Sequence, residues 1–373
     1  MTTYDVAVAG LGGFGSATAY HLASRGLRVL GLDRYPAAHD QGASHGESRI
    51  MRQAYFEGSA YVPLLRRTNE LWERLGVDVR EPLLRRTGGL FLGRPGTRVF
   101  DGSLASARDW AIDHEVLDAG EVSRRFPALR PPGGTHALYE PDAGVVGPER
   151  AVIAHLRLAA RAGADLRHDE PVVSWTASED HVRVVTGRDT HDVGALVLTP
   201  GRWAVDLLAD LALPLRVEQR IMHWFRPADP SAFGIGAFPL WIWDCEDGTA
   251  PYGAPTIDGE SVKAAVHYST VKPADAWTPD DLAERLADLL PGLGRDHVRS
   301  VPCTYTLTPD ENFVVGRHPA HDRVVLGCGF SGHGFKFTPV LGEVLADLAT
   351  GRASSYDLSM FDPGRFAVGV AAK

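Results

Sequence analysis

Cysteine is scarce in this chain, with only Cys245, Cys303 and Cys328 among 373 residues. So small and odd a set excludes a disulfide framework and fits a reducing cytosol. No apolar run approaches the roughly 20 residues of a membrane span, so no membrane partner is expected. The first strand pattern opens at Asp5, which leaves no room for a leader peptide and makes a cytoplasmic location the expectation. Positive charge is in deficit, with a formal net charge of -9. That balance argues against general nucleic-acid binding but still permits a local cationic pocket for an anionic substrate. Internal repeats and low-complexity tracts are missing as well.

Glycine-rich turns at the two ends of the chain are what stands out. Asp5-Val-Ala-Val-Ala-Gly10-Leu-Gly12-Gly-Phe-Gly15 reads as a buried parallel strand running into a tight turn and a helix. Gly10 permits the turn, Gly12 lets the backbone approach a pyrophosphate, and Gly15 lets the helix pack on the strand. A helix from about Phe14 to Arg25 aims its N-terminal amides at that phosphate. The strand Val29-Leu-Gly-Leu32 then delivers Asp33, suited to a ribose hydroxyl about twenty residues on. Almost three hundred residues later, Cys303-Thr-Tyr305-Thr-Leu-Thr308-Pro-Asp310-Glu-Asn312 is followed by Gly329-Phe-Ser-Gly332-His333-Gly334-Phe-Lys336. Two distant segments built for close backbone approach make FAD the candidate cofactor.

At this length two domains are a reasonable division. Residues 60 to 76 carry helical periodicity and stop at a glycine, residues 80 to 93 look like strand, and 147 to 163 read as another helix. Ala195-Leu-Val-Leu-Thr199 reads as a buried strand, and from Arg216 to Pro302 the pattern turns to aromatic-rich alternation that suits an antiparallel sheet. The expected fold is α/β, with a Rossmann-like FAD-binding domain over 1-80, 145-215 and 303-373. A second, antiparallel-sheet domain for substrate spans 81-144 and 216-302. Thr338 and Pro339 read as the N-cap and first residue of a closing helix.

Alternation places Cys303, Tyr305 and Leu307 on one face of an extended segment, and Lys263, Ala265 and His267 on one face of another. Arg49 and Arg52 are three apart, the spacing of neighbours on a helical turn. Each group also has a plain reading. A free cysteine is ordinarily a small buried hydrophobe. A strand lysine is ordinarily solvated, and paired arginines after a loop ordinarily make casual surface contacts.

Taken together, the glycine turn, Ser44-His45-Gly-Glu-Ser-Arg49-Ile-Met-Arg52, Lys263 with His267, the Cys303 block and Gly332-His333-Gly334-Phe-Lys336 resemble one family nearly end to end. That family is the monomeric sarcosine oxidases and N-methyltryptophan oxidases, within the glycine-oxidase and D-amino-acid-oxidase group of flavoproteins. The resemblance implies FAD held through a Cys303 thioether, with Gly10, Gly12, Gly15, Asp33, Gly332, Gly334 and Lys336 around it. It implies oxidation of a secondary α-amino acid to an imine, with oxygen reduced to hydrogen peroxide. Arg52 and Lys336 would hold the substrate carboxylate, Arg49 would sit at the flavin face, and Lys263 would promote oxygen reduction. His45, His267 and Tyr305 complete the implied catalytic set, with Tyr252 and Trp243 lining the substrate cavity. Trp243 stands near a position where sarcosine oxidases carry a smaller side chain, which puts sarcosine itself in question. A monomer is expected. The rival readings are a same-fold dehydrogenase using another electron acceptor, a non-catalytic flavin-binding protein and, more weakly, an NAD-dependent dehydrogenase.

Overall fold

The computed structural model describes residues 4–369. The first strand, Tyr4–Ala9, buries Val6, Ala7, Val8 and Ala9 in succession. A strand covered on both faces belongs inside a parallel sheet. Val29–Leu32 and Thr190–Leu198 pair with it in parallel on either side, and Asp165–Arg167 extends the edge beyond Val29–Leu32. His321–Cys328 adds a further parallel strand beside Thr190–Leu198. Three antiparallel strands, Val172–Ala177, Val182–Thr186 and Val314–His318, complete an eight-stranded sheet. The helices Gly13–Ser24, Pro148–Arg161 and Thr338–Ala349 bury Leu22, Leu156, Leu341 and Leu345 in one apolar cluster against this sheet.

A second eight-stranded sheet starts with His297–Leu307 paired to Arg216–Phe225. It continues through Val262–Val266, Pro251–Ala254 and Leu240–Trp243 to Gly89–Gly93, His136–Glu140 and Glu115–Asp118. All its pairings are antiparallel except that of Leu240–Trp243 with Gly89–Gly93. The fold is therefore the α/β arrangement expected, with an antiparallel-rich partner sheet. The division expected at residue 303 falls inside His297–Leu307, which stays in the second sheet through Leu307. A small third sheet consists of Arg49–Met51, Gly144–Val146 and Leu84–Arg86, with Gly144–Val146 in the middle.

Several local expectations need correction. The helix expected to stop at Gly76 runs from Val62 to Val79 and ends on Arg80 at φ 58°. Its apolar stripe continues, because Val79 is buried with Trp72 and Leu75. Thr338 does not cap its helix: the 3-10 turn Phe335–Phe337 feeds straight into it, and the residue before the helix, Phe337, has helical-side backbone (ψ 1°). A side-chain cap needs an extended residue there. Arg49 lies in a strand and Arg52 directly follows it, so the two do not share a helical turn.

Candidate active site

The first glycine turn is shaped by contact. A Cβ on Gly10 would stand 2.4 Å from the Thr199 carbonyl oxygen, and one on Gly15 only 1.7 Å from that of Gly10. Gly10 also sits at φ 91°, where side chains are strained. These positions accept nothing larger than glycine. Asp33 is buried at the end of Val29–Leu32, and its carboxylate accepts from the Leu11 amide at 2.6 Å and the Tyr35 amide at 2.9 Å. A crevice runs from Gly10–Phe14 and Asp33 past Ser44 to Cys303, Gly332 and Phe335. Thr338, whose buried hydroxyl lacks a hydrogen-bond partner, stands beside Gly13 at its edge. The close backbone approach at this glycine turn, beside Asp33 as the crevice's only acidic lining residue, fits FAD.

A second cavity, about 80 Å³, shares Arg49, Cys303, Tyr305, Gly332 and Phe335 with the crevice. Those shared residues mark where the two spaces meet. The remainder of its wall brings together Arg52, Glu57, Lys263, His267, Lys336, Tyr252 and Ile242. The chain has only four lysines, and two of them, Lys263 and Lys336, are buried here. A wider basin of about 720 Å³ shares Glu57, His267, Tyr305 and His333 with this chamber, and Arg98 and Glu311 pair on its wall.

Lys263 donates to the Gly46 carbonyl at 3.0 Å and to that of Ser48. Burial and the neighbouring Arg49 push its ammonium well below the usual lysine range. Arg49 reaches Cys303 Sγ at 3.4 Å and the Ser48 and Ala43 carbonyls at 3.0 Å each. Lys336 donates to the His333 carbonyl at 2.7 Å and lies 3.4 Å from the Tyr55 hydroxyl. Burial, with Arg52 alongside, lowers its pKa to about 7.

Arg52 forms a buried ion pair with Glu57 and donates to the Ala54 carbonyl at 2.9 Å. Its guanidinium lies 4.3 Å from the Tyr55 ring centre and 4.2 Å from that of Phe56. Burial alone would raise the Glu57 carboxyl, but Arg52, with His333, Lys336 and His267, outweighs it and holds it at about 2. His267 sits 3.3 Å from the Tyr305 hydroxyl, and burial drives its pKa down to about 3, so it is neutral. Burial likewise raises the Tyr252 and Tyr305 phenols, keeping both protonated.

Two expected site residues fall elsewhere. Trp243 is half-buried on the far face of its strand, packed against the apolar cluster that contains Trp241, while Ile242 faces the chamber. Period-two alternation forces this, because Ile242 pairs with Tyr252 and both turn to the same side. His45 is buried outside the linings of both cavities, with Nε2 unpaired. Burial pushes the Cys245 and Cys328 thiols up to about 12, as inert packed cysteines.

Other residues were not picked out by sequence. Glu57, five positions after Arg52, looks like any loop acid until its pair is seen. His333 stood inside the quoted glycine block, yet only its position beside Tyr55 (2.6 Å) brings it to the site. Glu140 accepts from the Gln53 and Ala54 amides at 2.8 and 2.9 Å, and Glu149 accepts from those of Gly46 and Glu47. Burial raises Glu140 to about 7. No local sequence signal marks either carboxylate, because each meets its partners across roughly a hundred residues of chain.

A family model described as FAD dependent oxidoreductase matches residues 5–348. The chain belongs to that family, and it is an FAD-dependent flavoenzyme. A monomeric sarcosine oxidase from Streptomyces avermitilis is 45% identical, with 99% of this chain and 99% of that protein aligned. An N-methyl-L-tryptophan oxidase from Salmonella dublin is 34% identical over 97% of this chain and 99% of its own. Among solved structures, NikD, an unusual amino acid oxidase essential for nikkomycin biosynthesis, matches with a TM-score of 0.84 at 29% identity. That match covers 97% of this chain and 98% of the NikD chain. Among the described residues no helix is long and apolar enough to cross a membrane.

Proposed function

We propose that this protein oxidises a secondary α-amino acid to an imine and passes the electrons to oxygen, releasing hydrogen peroxide. One observation carries the reading: Arg52 and Lys336 approach one small chamber that shares Cys303 and Arg49 with the FAD crevice. The full-length likeness to a sarcosine oxidase and an N-methyltryptophan oxidase supports it. The glycine-rich crevice and the chamber's second-sheet wall make up the cofactor and substrate units, and the likeness to a monomeric sarcosine oxidase favours a monomer.

Bound FAD supplies a two-electron acceptor that oxygen can regenerate. Arg52 offers a planar fork and Lys336 a point charge, which together suit one carboxylate. Glu57 occupies the guanidinium in this structure, so a substrate carboxylate takes over a place that an internal carboxylate holds. That exchange replaces one buried ion pair by another and avoids leaving Arg52 uncompensated. The neutral His267, Tyr252 and Tyr305 orient the amine end by hydrogen bonding without adding charge. Ile242, Phe56 and Val145 give the apolar wall against which a methyl or ring carbon rests. Lys263 is the cation assigned to oxygen reduction, and Cys303 is the assigned thioether anchor.

Peroxide release would be measured against sarcosine, N-methyl-L-tryptophan, L-pipecolate, L-proline and simple N-methyl amino acids. A signal from at least one secondary amino acid is the expected result. Flavin that none of them bleaches without oxygen would overturn the reading.

A further inference from the structure

The turn before Arg49 is held from two sides. Glu149, in the first turn of helix Pro148–Arg161, accepts from the Gly46 amide at 2.5 Å. It also accepts from the Glu47 amide at 3.1 Å and 3.3 Å through its two oxygens. The Ser48 amide donates back to the Gly46 carbonyl at 2.7 Å, closing a three-residue turn. At its centre Glu47 sits at φ 65°, in the left-handed region that side chains avoid. Such a conformation persists only where its surroundings over-determine it. Here they do, since Trp224 Nε1 donates to Glu47 at 3.0 Å and Arg299 pairs with the same carboxylate.

The carbonyls of this turn face the chamber's cations. Lys263 donates to both Gly46 and Ser48, and Arg49 donates to Ser48 at 3.0 Å. We propose that Glu149 is a positioning residue for oxygen reduction: by clipping the Gly46 and Glu47 amides it fixes the turn that seats the Lys263 ammonium. The inference rests on the reading of Lys263 as the oxygen-facing cation. Oxygen takes two electrons from the reduced cofactor and two protons, and leaves as hydrogen peroxide. Its first electron arrives as negative charge, so a cation already seated nearby lowers the barrier.

The charges around Lys263 give Glu149 a second part. Burial and Arg49 disfavour the ammonium, while Cys303, Glu149 and Glu47 favour it. His45 adds no settled charge, because burial and Arg49 lower it too, and the Trp224 ring centre lies 6.0 Å from Nζ. A thioether at Cys303 would carry no charge, and Glu47 is shared with Arg299. Glu149 makes no ion pair among the described residues, and its charge favours both the Lys263 ammonium and the Arg49 guanidinium beside it.

The test compares wild-type holoenzyme with Glu149→Gln, Glu149→Asp and Lys263→Met by rapid mixing in each half-reaction. Glu149→Gln should slow reoxidation by about tenfold or more while anaerobic flavin reduction changes by less than about threefold. The pH above which reoxidation fails should also move down, because the ammonium loses a counter-charge. Glu149→Asp keeps the charge with a shorter reach, and should fall between the two; it serves as the test variant if the glutamine form does not fold. Amide hydrogen exchange across residues 44–49 should quicken in Glu149→Gln, and unchanged exchange would refute the clip. Equal losses in both half-reactions would make Glu149 merely structural and overturn the proposal. Normal reoxidation in Glu149→Gln beside slow reoxidation in Lys263→Met would overturn it too, while leaving the role of Lys263 standing. Normal reoxidation in Lys263→Met would remove that role, and the proposal with it.

Discussion

Glycines set the closest approaches of the FAD crevice, whereas buried charged side chains dominate the chamber beside it, and the two meet at Cys303. The crevice gathers glycines from both ends of the chain, with Asp33 its only acidic lining residue. The chamber gathers Arg49, Arg52, Lys263 and Lys336 with Glu57 in a space of about 80 Å³. A backbone site tolerates change where side chains point away but fails at its glycines. A side-chain site of buried charges depends on every member, since removing one leaves its partners uncompensated in a medium that screens poorly.

That contrast can be broken most decisively at the junction. Cys303→Ser should convert flavin that stays with acid-precipitated protein into flavin found wholly in the supernatant, while the crevice still holds it in native buffer. Colour retained on the precipitated variant would refute the tether. On the chamber side, Arg52→Ala should raise KM for an amino-acid substrate by the equivalent of about 2 to 4 kcal/mol, because a charged hydrogen-bond partner is lost and Glu57 stays behind. An unchanged KM would place the carboxylate elsewhere.

A smaller effect should follow pH. The Lys336 ammonium, held down to about 7 by burial and Arg52, is protonated below that value and neutral above it. Substrate affinity should therefore weaken as pH rises through about 7 and recover as it falls, with Lys336→Met abolishing that step. The smallest change should come from Trp243→Phe, which leaves the substrate profile intact because the indole packs on the far face. Ile242→Ala, by contrast, should shift preference toward bulkier substrates. A profile that moved with Trp243 and not with Ile242 would contradict the strand's orientation.

The same contrast explains what could be read before the fold was known. Gly10, Gly12, Gly15 and Asp33 lie within one βαβ unit, so local spacing was enough to relate them. Alternation put Lys263 and His267 on one face, only the family resemblance gave that face a site role, and both do line the chamber. Trp243 was misplaced because alternation gives two faces without saying which is inside, and the pairing of Ile242 with Tyr252 decides that. Arg49 and Arg52 were placed on a helical turn because their spacing fits one, but Gly144–Val146 recruits the segment into a sheet. Glu57, Glu140 and Glu149 carry no spacing signal. Their roles arise when distant backbone amides or a guanidinium need an acceptor in a buried place.

In the proposed function, the chamber delivers a secondary amino acid's electrons to FAD and thence to oxygen. The most direct measurement is anaerobic mixing of the holoenzyme with an N-methyl or cyclic amino acid, followed by readmission of oxygen. The expected result is bleaching of the flavin absorbance, its full return with oxygen, and one hydrogen peroxide per substrate consumed. Bleaching that oxygen does not reverse would make the protein a dehydrogenase with another acceptor, and would contradict the role given to Lys263.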